Sequence, residues 1–323
     1  MSLRATLTPS MYHGASKKPP FFEGWYYKLV SAEADCKVAI IPGVILGHEA
    51  HAFVQVLDGV DGTTAYHTFP VEDFRAEPGR FALQVGENRF DGSRLSLQIE
   101  RQQGSLSGKI ALGALAPWPV NWLSPGVMGP FAWIPRMECY HGVLSFEHSL
   151  QGTLTFNGKR MDFSGGRGYI EKDWGQAFPA AWVWFQSNHF GGQPAACITA
   201  SVAVIPWMGT AFRGFIVGLW VEGRLYRFAT YTGARIESLQ ILDEQVEWSL
   251  RDVRYRLTLV ARRGQGGLLR GPTRVDMGQR VLESMNATVQ VRLESLQGKL
   301  LFDGVGASAG LEVMGDLPRL LRR

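Results

Sequence analysis

The chain has 323 residues, about two domains at ~150 residues each, and at 46% hydrophobic and 19% charged it can bury a sizeable core. Lys plus Arg number 33 against 29 for Asp plus Glu, a formal +4 that is too thin and too dispersed for a nucleic-acid-binding stripe. Apolar runs end well short of the ~18 residues of a membrane-spanning helix. Residues 1–18 have no apolar signal-peptide core. Three widely spaced cysteines, Cys36, Cys139 and Cys197, offer no paired ligand spacing and read as reduced thiols of a cytoplasmic protein.

Gly 38, Trp 10 and Phe 18 are high together, and helical periodicity is scarce. That combination predicts an all-β protein whose strands surround something apolar. In chain order, an aromatic block comes first, Phe21-Phe22-Glu23-Gly24-Trp25-Tyr26-Tyr27-Lys28. His48 and His51 flank Glu49 but lack any further zinc-site spacing, so a solvated loop is expected and no metal site. Asp61-Gly62 marks a hairpin turn, and Leu95, Leu97 and Ile99 alternate with polar residues as in a half-buried strand. Residues 116–135 break the pattern. They mix Pro with Trp118, Trp122, Phe131 and Trp133, as either a buried crossover or an apolar lid that touches a membrane surface. Leu154 and Phe156 lead into the turn Asn157-Gly158, and Gly165-Gly166-Arg167-Gly168 reads as a bulge or turn rather than a phosphate cradle. Further on, Val289, Val291 and Leu293 alternate, Asp303-Gly304 reads as another tight turn, and Leu317 opens the one plausible short helix.

The chain also repeats itself. Residues 149–158 (SLQGTLTFNG) reappear as residues 295–304 (SLQGKLLFDG), and a looser echo of Phe22, Trp25 and Cys36 falls on Phe178, Trp182 and Cys197. Two tandem copies of one β unit follow, residues 1–175 and 176–323, each the size of a small barrel or sandwich. The first copy closes on Gly168-Tyr169-Ile170-Glu171-Lys172-Asp173-Trp174-Gly175, whereas the second has lost the Lys-Asp-Trp that follows its Glu. A duplicated fold needs its Gly and apolar positions in both copies, but a site needs its polar groups in one. Glu171, Lys172, Asp173 and Trp174 are therefore functional candidates. In a strand over residues 181–190, Trp182, Trp184, Gln186 and Asn188 share one face, and Val183, Phe185, Ser187 and His189 the other. Two indoles and two amides suit the wall of a cavity that holds an aromatic ligand.

The Glu23-Gly24-Trp25-Tyr26-Tyr27-Lys28 block, and Glu171-Lys172-Asp173-Trp174-Gly175 followed by Phe178-Pro179, Trp182-x-Trp184-x-Gln186 and Asn188, resemble the signature blocks of the tocopherol cyclase family. That family is similar in turn to the hydroxyneurosporene synthase (carotenoid hydratase) group, which has two consecutive lipocalin-like β domains. The resemblance implies two tandem lipocalin-like domains and a cofactor-free closure of a prenylated hydroquinone to a chromanol. It implies a lipophilic prenylquinol or isoprenoid as partner. Peripheral membrane contact is a separate expectation, from residues 116–135 and the tail arginines Arg319, Arg322 and Arg323, and the thin charge excess gives no nucleic acid as partner.

Such a reaction protonates a trisubstituted alkene, so it needs a neutral acid in a dry site, aromatic faces for the tertiary cation, and polar groups that orient the phenol. Glu171 and Asp173 are the candidate acids. Glu23, Trp25, Tyr27, Trp174, Trp182, Trp184, Gln186, Asn188 and His189 are the candidate substrate-binding residues. Each Trp has a plainer reading as core filling, and Glu23, Lys28, Glu171 and Lys172 as structural ion pairs. Two rival activities use the same pocket: hydration of an isoprenoid alkene, and lipid binding without catalysis.

Overall fold

A computed structural model describes residues 3–322 apart from 192–195. Two antiparallel sheets account for the fold, which is all-β and lipocalin-like. The chain divides into two compact units, residues 1–178 with 267–281, and residues 179–266 with 282–323. Among the described residues no helix is long and apolar enough to cross a membrane.

The first unit is built on a 12-stranded sheet. Its opening strand, Phe21–Val30, lies between Lys37–Leu46 and the closing strand Arg167–Gly175, which in turn pairs with the long strand Cys139–Phe156. The pairing path ends at Thr64–Phe69 on one side and Phe74–Ala76 on the other, which a 3-10 turn, Val71–Asp73, connects. Residues from all along this path, among them Tyr27, Val54, Phe69, Phe90, Leu106 and Ile170, bury into one cluster, so the sheet is rolled around its core. Leu95, Leu97 and Ile99 are all buried in Arg94–Arg101, as their alternation requires. Asn157 (φ 49°) and Gly158 (φ 80°) form the expected turn. Residues 267–281 pack on the first unit: the Arg270 N–H donates to Gln55 Oε1 at 2.7 Å, and Met277 joins Phe22, Ile45 and Phe53 in a second apolar cluster.

The second unit repeats the plan in an 11-stranded sheet. Again the opening strand, Ala181–Ser187, lies beside the closing strand, Leu300–Gly315, and the closing strand beside the long strand Gln279–Ser295. Its core gathers Val183, Phe185, Val217, Trp248, Val291 and Leu311. Complete burial of each such side chain stabilises the fold by roughly 1.5–3 kcal/mol.

Three local expectations differ from what forms. Asp303-Gly304 lies inside the closing strand, opposite Arg292 and Val291, and the turn falls earlier, at residues 296–299 with Gly298 at φ 83°. The two matching ten-residue segments therefore place their turns differently, at the end of the first and near the start of the second. The strand over residues 181–190 is interrupted at Asn188. Ser187 Oγ donates to the Ala307 carbonyl at 2.7 Å and accepts from the His189 N–H, and beyond that break Phe190 rather than His189 enters the core. Besides the helix Leu317–Leu321, capped by Asp316, a short helix forms at Leu3–Thr6.

Gly175 ends the closing strand of the first unit where nothing larger fits. A Cβ there would lie 2.2 Å from the Glu138 carbonyl oxygen and 3.0 Å from Cys139 Cα. Because both obstacles are backbone, Gly175→Ala is expected to cost about 1–3 kcal/mol, read as a lower urea midpoint at unchanged slope.

Candidate functional site

The closing strand Arg167–Gly175 places alternate side chains on opposite faces, and both faces are chemically loaded. Ile170 belongs to the core of the first unit, and Lys172 and Trp174 share its inward side. Tyr169, Glu171 and Asp173 point the other way.

On the inward face, Lys172 is fully buried and its Nζ lies 2.5 Å from Glu23 Oε1, itself fully buried on the opening strand. Nζ also donates to the Met11 carbonyl at 2.6 Å and approaches His13 Nδ1 at 2.9 Å. The ammonium sits over the rings of Trp25 (4.8 Å) and Trp174 (4.6 Å), and Trp174 is stacked between His13 and Tyr140. The His13 N–H donates to Glu23, and Trp25 Nε1 donates to the Ser10 carbonyl at 3.2 Å. The inward face thus clamps residues 10–13 across the opening and closing strands.

Burial pushes the Lys172 ammonium down to about 8, against the pull of Glu23. Burial also lowers His13, reinforced by the neighbouring Lys172 charge. For Glu23 burial acts upward, but Lys172 and the hydrogen bonds of His13 outweigh it and hold the carboxyl below 4.5.

Of the expected substrate-binding residues, Glu23, Trp25, Tyr27 and Trp174 therefore lie inside the first unit, away from Glu171 and Asp173. Tyr27 is fully buried, and its hydroxyl donates to the Asp91 carbonyl at 3.3 Å.

On the outward face, Glu171 and Asp173 come together around a histidine. His141, directly opposite Asp173 on the long strand, has Nδ1 2.9 Å from Asp173 Oδ1 and Nε2 3.7 Å from Glu171 Oε2. The Tyr169 hydroxyl donates to the same Glu171 oxygen at 2.5 Å, and the Cys139 thiol approaches Asp173 at 3.9 Å. Exposure falls along this line, from 28% for the Asp173 side chain through 15% for His141 to 7% for Glu171, and Tyr169 is fully buried. Tyr26 faces Glu171 across the opening strand and Gly24 faces Asp173, so no side chain there crowds the half-exposed carboxylate. Next along the face, Phe22 meets Phe178 edge-to-face at 5.4 Å, in the cluster that includes Cys139.

The sequence reading brought the two carboxylates to one side of a strand, and it missed His141, Tyr169 and the aromatic rim of Phe22 and Phe178.

His141, Glu171 and Asp173 have ligand atoms within 4.8 Å of one another and could supply one nitrogen and two oxygens to a cation. In this arrangement each ring nitrogen faces a different carboxylate. Nδ1 is within hydrogen-bond distance of Asp173, and Nε2 faces Glu171 at 3.7 Å, beyond direct hydrogen bonding. His51, a residue of the discounted His48/His51 pair, has both ring nitrogens engaged, by the Glu49 carbonyl (2.6 Å) and the Tyr66 hydroxyl (2.7 Å).

In the second unit Trp182, Trp184 and Gln186 share the face opposite Val183 and Phe185, as alternation predicts, and all three are buried. Trp182 Nε1 donates to Glu312 at 2.6 Å, and Glu312 lies directly opposite Trp184. Gln186 Nε2 approaches Cys197 Sγ at 3.5 Å. Asn188 is buried at the strand break, and His189 is half-buried beyond it, opposite Ala307.

Because His13 and Glu23 both bind protons less readily folded than unfolded, acidification favours the unfolded chain. The loss begins as pH falls through 6.5, where an unfolded His takes up its proton, and deepens below 4.5 with Glu23. Urea midpoints measured from pH 7.5 to 5 are expected to fall less steeply for His13→Gln than for the native chain. Parallel curves would contradict this.

Comparison with known proteins bears on both units. The tocopherol cyclase-like family model matches residues 127–315. A probable chloroplastic tocopherol cyclase of Oryza sativa subsp. japonica is 31% identical over 85 residues, 25% of this chain and 18% of that protein. The chloroplastic tocopherol cyclase of Zea mays is 29% identical over 85 residues, with the same coverage. The match thus spans less than a fifth of these curated relatives' length. The fold is also that of CghA, solved with Sch210972, with a TM-score of 0.58 and 14% identity over 92% of this chain and 89% of that one. Kievitone hydratase from Nectria haematococca aligns with a TM-score of 0.51 and 13% identity over 94% of each chain. Since the family match takes in more than half the chain, including His141, Glu171, Asp173, Trp182 and Trp184, the chain belongs to the tocopherol cyclase-like family.

Proposed function

We propose that the chain closes a prenylated hydroquinone to a chromanol, with Glu171 as the acid that protonates the alkene. The observation that carries this reading is the line Asp173–His141–Glu171–Tyr169, which runs from half-exposed to fully buried along one strand face. In its protonated form Glu171 delivers a proton to the less substituted alkene carbon, leaving a tertiary cation at the other. The phenol oxygen attacks that carbon, a C–O bond forms, and the phenolic proton passes to the Glu171 carboxylate. The cycle is an isomerisation, with no net gain or loss of protons.

His141 exchanges protons between Glu171 and the half-exposed Asp173, which resets the acid after a misfire or on substrate entry. Tyr169 holds one Glu171 oxygen in place, and the aromatic edge of Phe22 and Phe178 supplies a face for the cation. Membership of the family supports the reaction class, and the curated relatives whose names carry it are cyclases.

The runner-up is hydration of an isoprenoid alkene. It is favoured by the exposure of Asp173, through which water can reach the relay, and by the name of the kievitone hydratase neighbour. The two readings share the acid and part at the nucleophile, so the product separates them.

Incubating the protein anaerobically with a dimethylated phytyl quinol, followed by chromatography, is expected to give a chromanol. Glu171→Gln should lower turnover by roughly 10²–10⁴-fold, the usual worth of a general acid. His141→Ala and Asp173→Asn should lower it by less, and EDTA should leave it unchanged. Full activity in Glu171→Gln would overturn the assignment, and a hydrated tail would favour the hydratase.

A further inference from the structure

Residues 116–135, which break the strand pattern of the sequence, are anchored at one end and exposed at the other. At the anchored end Trp118 is buried, its ring stacks on Phe146 at 5.5 Å, and its backbone N–H donates to the Val143 carbonyl at 3.3 Å. Just beyond it, residues 119–123 are exposed without interruption, Trp122 to 62% and Leu123 to 84%. Large apolar groups exposed side by side mark an interaction surface.

The exposed loop is held in place by its own hydrogen bonds. Asn121 Oδ1 accepts from the Leu123 and Ser124 N–H groups at 3.0 and 2.9 Å, and the Asn121 and Ser124 backbones bond to each other. Val120 and Pro125 form a bridge at its neck. The Trp133 indole N–H donates to the Trp122 carbonyl at 2.9 Å, and the two indoles stack at 5.5 Å. Trp122 and Leu123 are thus presented to the outside by a fixed turn. The same bonds satisfy the Leu123, Ser124 and Trp133 N–H groups and the Trp122 carbonyl within the loop. A layer of low dielectric can therefore receive the loop without leaving these groups unpaired.

Charge narrows the choice of partner. Residues 112–137 contain no Asp or Glu, and their one charged residue is Arg136, which is exposed. A surface of phosphates meets no like charge along this stretch and finds one cation. Indoles favour the bilayer interface, where the ring lies against acyl chains and the N–H meets headgroup oxygens.

We infer that this loop docks the chain on a phospholipid bilayer, with Trp122 and Leu123 at the boundary between headgroups and acyl chains and Arg136 beside the phosphates. The contact is separate from the Glu171 relay and does not depend on any reaction there.

The test is flotation of the full chain with vesicles of phosphatidylcholine, alone and with added phosphatidylglycerol, alongside sedimentation velocity without vesicles. The native chain should float with both, and more with the anionic lipid. Leu123→Asp and Trp122→Ala should each weaken partition roughly tenfold or more, the worth of burying one large apolar side chain. Leu123→Trp should strengthen it. Because Leu123 is so exposed, the fold does not rest on it, and Val253→Asp, the matched change at an 87% exposed residue of the second unit, should leave flotation unchanged. A native chain that does not float would overturn the inference, as would Leu123→Asp floating as well as the native chain. So would an equal loss in Val253→Asp, or a native dimer that Leu123→Asp splits, which would assign the loop to a contact between copies.

Discussion

The buried pair Glu23–Lys172 fixes the register on which the rest of the first unit depends. Two charges at 2.5 Å with no solvent around them are costly to separate, and removal of one partner from such a pair typically costs about 3–5 kcal/mol. The pair joins the opening strand to the closing strand, so it also decides which way every neighbouring side chain points. A one-residue slip would turn Ile170, Lys172 and Trp174 to the outside and drive Tyr169, Glu171 and Asp173 into the apolar core in their place, an arrangement with nothing to offset it. The motif Glu-Lys-Asp-Trp therefore serves two purposes through simple alternation. Lys172 and Trp174 hold the fold and the amino-terminal segment from inside, and Glu171 and Asp173 face His141 from outside.

The second unit shows what happens to the same strand without that division of labour. Ile170 opposite Tyr27 and Leu311 opposite Phe185 are both core pairs, which makes Glu312 the counterpart of Glu171 on the outward face. The residues that follow are Val313 and Met314 in place of Lys172 and Asp173. Apolar packing replaces the inward ion pair, and the outward relay is gone. What remains is Glu312, which accepts from the Trp182 indole and stands opposite the buried Glu283. Duplication kept the scaffold in both units, whereas, among the described residues, the group of one histidine between two carboxylates stands in the first.

Much of this was legible in the residues because it is local. Alternation over 95–99 and 289–293, the left-handed turn at Asn157-Gly158 and the shared face of Trp182, Trp184 and Gln186 all follow from the period of a strand. His141 was not legible. Its place opposite Asp173 depends on a long strand, Cys139–Phe156, whose pairing slips at two irregularities before reaching it. Counting back from the turn lands one residue away, on Gly142. The side on which Glu23, Trp25 and Tyr27 fall was equally hidden. Both faces of that strand carry aromatic and polar groups, and only the buried partners decide which is inside. The break at Asn188 comes from a hydroxyl that competes for the ladder at Ser187, a tertiary event with no signature in the alternation itself.

The central claim is that a proton from Glu171 reaches an alkene carbon and a phenol oxygen takes the resulting cation. Turnover of a prenylated quinol in D₂O, with mass and NMR analysis of the product, tests it directly. The account predicts a chromanol with a single deuterium on the ring carbon next to the benzylic methylene, on one face only, since the acid is fixed on one side of the substrate. A chromanol without deuterium at that carbon, or with deuterium on both faces equally, would contradict it.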